Sequence, residues 1–466
     1  MPFRSPLLSA LLCATALSAA MAPVALAGEA SGAAAAGGNV LGGVTGGYVE
    51  PSKDLAERFR PGQVVVRYGG AHVASVGGGP KTRVLKVPKG ETVAEYARRL
   101  QTRNGVLSAT PNYIAHTSGW VPPDPGNSGV PSGWAQLQWN FLPETGVNAP
   151  DAWQHLMNVG RPGGAGVTVA VVDTGIAYAN RGRFRRSPDF SAYRFVRGYD
   201  FVGGDRYPND DNGHGTHVAG TIAEGTGNAV GLTGLAYGAK LMPVKVLDRD
   251  GEGDSARIAQ GIRYAADHGA KIINLSFEFP SDITRSQIPN ILDAIRHAKA
   301  KGSLVVGASG NAAAAAVAYP ARSSDVLSVG ATTQHGCQAD YSNEGSDLDL
   351  VAPGGGADAD LTGDPSCRID LPPGRNITEV TFRRSTPARF VVPLDYHGTS
   401  MAAPHVTGVV ALLLGAGTLG DHPTPEAVEA RLKATARDLG APGVDRYYGA
   451  GLVDATAALT APVATG

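Results

Sequence analysis

Three side chains far apart in this sequence, Asp173, His214 and Ser400, supply a carboxylate, an imidazole and a hydroxyl, the set that makes a serine nucleophilic. A free hydroxyl attacks poorly; it needs a base to take its proton and a third group to orient that base. Asp173 ends the apolar run Ala170-Val171-Val172 and precedes Thr174-Gly175, so a buried strand would deliver it to a sheet edge. Alone, such an Asp is more often a structural turn residue or a metal ligand. His214 lies in Asn212-Gly213-His214-Gly215-Thr216-His217-Val218-Ala219-Gly220-Thr221, whose small residues suit a tightly packed helix beginning near His214. His217 could pair with it as a metal site, but no carboxylate has the helical spacing used by zinc peptidases, so His217 reads as a packed core histidine. Ser400 sits in His397-Gly398-Thr399-Ser400-Met401-Ala402-Ala403-Pro404-His405, ahead of an apolar helix. There the amides and helix dipole favour developing negative charge. The bland alternative is an N-cap serine.

The elements that must position these groups follow from hydrophobic patterning. Val167–Val172, Leu241–Val246, Lys271–Leu275, Ser303–Val306 and Val326–Val329 are near-continuous apolar runs. Such runs belong in a parallel sheet buried on both faces, covered by helices over Ala256–His268, Ile288–Lys301 and Ala402–Leu414. The expected fold class is α/β, a doubly wound parallel sheet with helices on both faces and its site at the carboxyl ends of the strands. Ahead of it, strands at Gln63–Tyr68, Arg83–Val87 and Val106–Ile114, with a helix opened by the capping box Thr92-Val93-Ala94-Glu95, form a small α+β unit. A Pro, Gly and Ser-rich stretch, Val121–Ser132, reads as an exposed linker.

Taken together, the three segments resemble the subtilisin-like serine peptidases, in which Asp, His and Ser follow in this order; the resemblance covers about 330 residues. It implies that Asp173 fixes the tautomer of His214, that His214 takes the proton of Ser400, and that Ser400 forms an acyl-enzyme on a peptide carbonyl. It also implies that Asn311, in Ser309-Gly310-Asn311, supplies the side-chain oxyanion donor beside the Ser400 amide. Substrate would pair with segments corresponding to Gly251, Glu252 and Gly253 and to Ser276, Phe277 and Glu278, with Ala308, Ser309 and Gly310 completing the cleft. The sequence departs from the family here, with Phe277-Glu278-Phe279 where an apolar residue and two glycines are usual. Asp248, Glu252, Asp254 and Glu278 near one cleft predict a mild preference for basic or polar substrate residues; solvated rim carboxylates are the alternative.

The same resemblance implies a structural calcium ion held by Gln138, Asp189, Asn228 and the carbonyls of Val230 and Leu232, oxygen donors suited to a hard cation. No cofactor is required for the chemistry. It further implies that residues 61–117 are an inhibitory pro-segment, with a fixed accessory domain as the alternative, that maturation cleavage falls in a linker over 118–136, and that the peptidase domain spans 137–466. Within that domain 355–393 reads as an inserted, hairpin-bearing loop.

With 466 residues, 43% of them hydrophobic, the chain can bury a large core. Its net charge of −1, with acids and bases well mixed, argues against a nucleic-acid partner. Residues 1–27 carry Arg4, an apolar run and Ala25-Leu26-Ala27, the layout of an export signal, and 28–60 begin as a Gly and Ala-rich spacer. With Cys13 in that signal, Cys337 and Cys367 remain to pair in an oxidising compartment; a lipid anchor on Cys13 is a minor alternative. The expectation is a secreted monomer, extracellular or held at the periplasm or surface. It has no membrane span, acts on proteins or peptides, and is inhibited by its own pro-segment. A catalytically silent binding or scaffold module of the same fold is the rival.

Overall fold

The structure is a computed structural model that describes residues 59–69, 81–113, 120–126, 129–191, 194–384 and 386–462. The expected export signal and most of the spacer lie outside these residues. The chain divides into two compact units, 1–115 and 116–466.

In the first unit, β1 (Phe59–Tyr68) pairs antiparallel with β2 (Lys81–Lys86) on one side and β3 (Val106–Tyr113) on the other. The intervening helix α1 (Val93–Gln101) starts at Thr92. The Thr92 hydroxyl accepts from the Glu95 amide while the Glu95 carboxylate accepts from the Thr92 amide. Ala97 and Leu100 of α1 bury against Val64, Val66 and Ala109 of the sheet, a small core for a small unit. This is the α+β unit expected from the sequence.

The second unit opens with α2 (Ala149–Asn158), followed by β4 (Thr168–Asp173), β5 (Tyr199–Asp200), α3 (His214–Ala223), β6 (Lys240–Lys245), α4 (Ser255–Asp267), β7 (Ile272–Leu275), α5 (Pro289–Ala300), β8 (Leu304–Ala308), β9 (Leu327–Thr332) and β10 (Leu350–Pro353). A short hairpin, β11 (Thr381–Phe382) and β12 (Phe390–Val391), precedes α6 (Thr399–Ala416), α7 (Pro425–Thr435) and α8 (Ala455–Thr460). Seven strands form one parallel sheet in the order β10-β9-β8-β7-β4-β6-β5. The β4 strand is the switch point, with β6 on one flank and β7 on the other, so its carboxyl end opens a crevice in which side chains from both halves can meet.

Side chains alternate between two cores across this sheet. Val169 and Val171 of β4 face the core built on α3 and α6, while Ala170 and Val172 face that of α4 and α5. Burial on both faces explains why the strands read as continuous apolar runs. Among the described helices, α6 is the one long and apolar enough to cross a membrane. It is instead a core helix, 83% buried within the protein.

Two expectations need correction. The stretch Val121–Ser132 is not a uniformly exposed linker: Pro122 and Asp124 are buried, and the Asp124 carboxylate accepts the amides of Gly227, Asn228 and Ala229. The Trp134 indole, fully buried within the expected linker 118–136, donates to the Pro122 carbonyl. An aspartate among prolines looks like a turn in sequence; its three amide donors lie about a hundred residues away. The strands β5 and β10 were also unexpected, being short edge strands with two and four residues to carry a pattern.

Candidate active site

Strand β4 ends on Asp173, whose side chain is fully buried. One oxygen, Oδ1, accepts the Thr174 amide at 2.7 Å and lies 2.8 Å from His214 Nδ1. Gly215 makes this approach possible, because a Cβ there would stand 2.2 Å from the Gly175 carbonyl and 3.0 Å from Asp173 Oδ1. His214 is the first residue of α3 and keeps a quarter of its side chain exposed. Burial pulls its pKa down, but the charge of Asp173, the hydrogen bond to it and the charge of Asp210 outweigh this and leave the pKa raised above 6.5.

Asp210 organises the entry to α3. Its carboxylate accepts the amides of Asn212, Gly213 and Thr216 and the hydroxyls of Thr174 and Thr216. Nothing in the sequence singled it out, since an Asp two residues before Asn212 reads as an ordinary turn residue. His217 behaves as expected of a core histidine. It is fully buried, approaches the Ile377 carbonyl at 3.2 Å, stacks on Tyr396 at 4.2 Å, and burial drives its pKa down to about 3.

Ser400 is the second residue of α6, so its amide points from a helix N-terminus. Its hydroxyl donates to the Ser276 carbonyl at 3.0 Å, while the Ser276 hydroxyl donates back to the Ser400 carbonyl at 2.8 Å, tying α6 to the end of β7. His214, Ser400 and Met401 share one cavity of about 660 Å³, which Phe382, Arg383 and Arg384 also line. Asn311 follows β8, and its Oδ1 accepts the Thr399 amide at 2.8 Å and the Thr399 hydroxyl at 3.0 Å, so it too is held against the start of α6. Asp173, His214, Ser400 and Asn311 therefore gather at the carboxyl ends of β4, β7 and β8.

The candidate substrate residues meet there as well. Gly251, Glu252 and Gly253 follow β6, Ser276, Phe277 and Glu278 follow β7, and Ala308 ends β8 with Ser309 and Gly310 after it. Three of the four acidic residues expected near this cleft make local contacts. Asp248 accepts the amides of Asp250 and Glu252; Asp254 caps α4 and pairs with Arg257; Glu278 is bound to Asn311. Arg384 forms an ion pair with Asp250, a contact between residues 134 positions apart that no local pattern announces.

The residues expected to hold calcium are only partly brought together. Asp189, fully buried, accepts from Asn228 Nδ2 at 2.8 Å and from the Leu232 amide at 2.8 Å, and Asn228 Oδ1 accepts the Val230 amide. Gln138 instead hydrogen-bonds Thr233 through both ends of its amide and donates to Glu379 at 3.0 Å. Burial raises Asp189 to about 7 and Glu379 to about 8, and places Glu224 well above its ordinary range. One oxygen of Glu224 is buried without a hydrogen-bond partner among the described residues. In kind, a buried carboxylate, an amide and two backbone carbonyls fit a hard cation. Turning the Asn228 amide would bring its oxygen to Asp189.

Cys337 and Cys367 are bonded, with Cα atoms 4.7 Å apart, as expected. The bridge fastens the 355–393 segment to the segment after β9, and the hairpin expected within 355–393 is β11–β12.

The subtilase family (Peptidase S8) matches residues 164–451, which include all four residues gathered at the strand ends. The chain belongs to the subtilase family. It is 39% identical to Subtilisin BL of Lederbergia lenta over 298 residues, 63% of this chain and 91% of that protein. It is 34% identical to Thermitase of Thermoactinomyces vulgaris over 309 residues, 66% of this chain and 92% of that protein. A solved protease structure from Pseudoalteromonas arctica PAMC 21717 superposes with a TM-score of 0.57 at 31% identity, covering 73% of this chain and 99% of that one. This subtilase is a serine endopeptidase with the α/β subtilisin fold, acting on protein substrates.

Proposed function

We propose that this subtilase is a secreted endopeptidase, made as a zymogen, that cleaves peptide bonds through an acyl-enzyme on Ser400. The observation that carries the reading is the 2.8 Å contact of Asp173 with His214 beside a cavity that Ser400 shares. Asp173 keeps the proton of His214 on Nδ1, leaving Nε2 to act as base. The Ser400 hydroxyl, resting on the Ser276 carbonyl, turns about χ1 towards His214, gives up its proton and attacks the substrate carbonyl. The oxyanion so formed is met by the Ser400 amide and by Asn311 Nδ2, which the Thr399 contacts hold in place. His214 then protonates the departing amine, and water repeats the sequence on the ester.

Residues 1–27 serve as export signal and 61–117 as pro-segment on this reading. Because Trp120 stacks edge-on with Trp153 and Asp124 is buried against the 227–229 amides, maturation fits best before Trp120. A calcium ion is assigned to Asp189, Asn228, Val230 and Leu232, where it would replace the proton that burial favours on Asp189; it takes no part in the reaction. Chelation should then lower the melting temperature, and added calcium restore it. The disulfide and the export signal agree on an oxidising compartment.

The experiment is N-terminal sequencing of protein recovered from the medium. The reading requires wild type to begin after the pro-segment and Ser400→Ala to retain it. Equal processing of the two would mean that another peptidase does the work.

A further inference from the structure

The Glu278 carboxylate occupies the gap between the segments that end β7 and β8. Its oxygens accept the Asn311 amide at 3.1 and 3.0 Å, and Oε1 also accepts from Asn311 Nδ2 at 3.3 Å. It lies so close to Gly310 that a Cβ built there would stand 2.3 Å from Glu278 Oε2. The Asn311 amide group is therefore held at both ends, with its oxygen on Thr399 and its nitrogen on Glu278.

That second contact has a chemical cost for the reaction assigned to this site. An oxyanion donor must stand about 2.7 to 3.1 Å from the developing negative charge. Here the same nitrogen already faces a carboxylate. Even if its second hydrogen turns to the substrate, two negative charges share one donor at hydrogen-bonding distance, and although Glu278 and Asn311 are both exposed, repulsion at that separation is only partly screened by solvent. The substrate residue that contributes the attacked carbonyl has its Cα one bond from that carbon, so its side chain projects into the surroundings of Asn311, within reach of Glu278.

Resting on the proposed roles of Ser400 and Asn311, we infer that Glu278 selects a cationic side chain, Lys or Arg, on the acyl side of the scissile bond and couples that choice to the oxyanion donor. A cationic side chain forms a charge-assisted pair with Glu278, draws the carboxylate from Asn311 Nδ2 and neutralises it. An apolar side chain leaves the carboxylate where it is, and the transition state forms against a negative charge. Selectivity of this origin appears in kcat, because it acts on the charge that develops during attack.

The test uses peptides that differ only at the acyl-side residue, Lys, Arg, Leu, Phe or Glu, with mature wild type and with Glu278→Gln, Glu278→Gly and Glu278→Asp. In wild type, kcat for Lys and Arg should exceed that for Leu and Phe by about threefold to fivefold, the upper scale of one exposed charge pair. Glu278→Gln and Glu278→Gly should raise kcat on Leu and Phe and erase the preference, while Glu278→Asp retains its sign. A purely structural role would lower every substrate together and leave the ranking intact. Wild type without a Lys or Arg preference, or an unchanged ranking in Glu278→Gln, overturns the inference while leaving the enzyme a peptidase. No cleavage of any peptide, with no covalent labelling of Ser400, would overturn the underlying assignment as well.

Discussion

Asp173 presents a single oxygen to two donors, holding His214 Nδ1 at 2.8 Å and the Thr174 amide at 2.7 Å. The orientation of the imidazole is thereby referred to the β4 backbone, and the charge of the buried carboxylate acts on one ring nitrogen. The pH dependence of the reaction follows. His214 must be neutral to accept a proton, and its pKa lies above 6.5 in the folded protein. The acid limb of kcat/KM should have its midpoint above 6.5, with activity rising as pH rises through it. Asp210→Asn removes one of the charges that raise His214 and should move the limb to lower pH. A pH–rate profile of both proteins checks this.

Asn311→Ala removes a side-chain donor while leaving the Ser400 amide in place. The expected loss is about 10²–10³ in kcat, or about 2.7–4 kcal/mol, with little change in KM. Steady-state kinetics on one peptide measures it. Because Asn311 Oδ1 also anchors Thr399, a fall in melting temperature should accompany the loss.

Glu379 is fully buried against Gln138 and Thr221, and burial raises its pKa to about 8 from an ordinary 4.5. The folded state thus holds this proton more tightly than the unfolded state. Stability should be unaffected by this group below pH about 4.5, fall as pH rises from there, and reach its full penalty above about 8. Glu379→Gln has no proton to lose. Its melting temperature relative to wild type should therefore be higher at pH 9 than at pH 5, as calorimetry at the two values would reveal.

The Cys337–Cys367 bridge closes a loop spanning 30 positions. Replacing both residues by Ser should cost about 3 kcal/mol, chiefly through the entropy regained by the unfolded chain. Urea denaturation of the double variant is the measurement. Since the bridge fastens a loop whose Phe382 and Arg383 wall the cavity beside His214, KM should rise with it.

What could be read in the sequence, and what could not, divides along the range of the interactions. The β4 strand and its terminal Asp173, the small-residue helix after His214 and the helix after Ser400 are legible because their patterns are local: apolar runs, glycines at close approaches and a helix start. The Thr92 capping box is equally local. Asp124, Glu224 and Glu379 were invisible because only long-range packing makes them special; each is an ordinary acidic residue until its partners arrive from about a hundred or more positions away. Gln138 shows the reverse case. The family resemblance supplied a role for it, yet its amide is engaged by Thr233 and Glu379, the latter 241 positions away in the sequence.

The most direct test of the central claim is covalent. Mature protein is treated with a fluorophosphonate, digested and mapped by mass spectrometry, and casein hydrolysis is followed in parallel for wild type and Ser400→Ala. The account predicts a single adduct on Ser400, loss of hydrolysis in step with labelling, and a loss of turnover on the order of a million-fold in Ser400→Ala, which should take no label. An adduct on another serine, or casein hydrolysis that survives both labelling and Ser400→Ala, would contradict it.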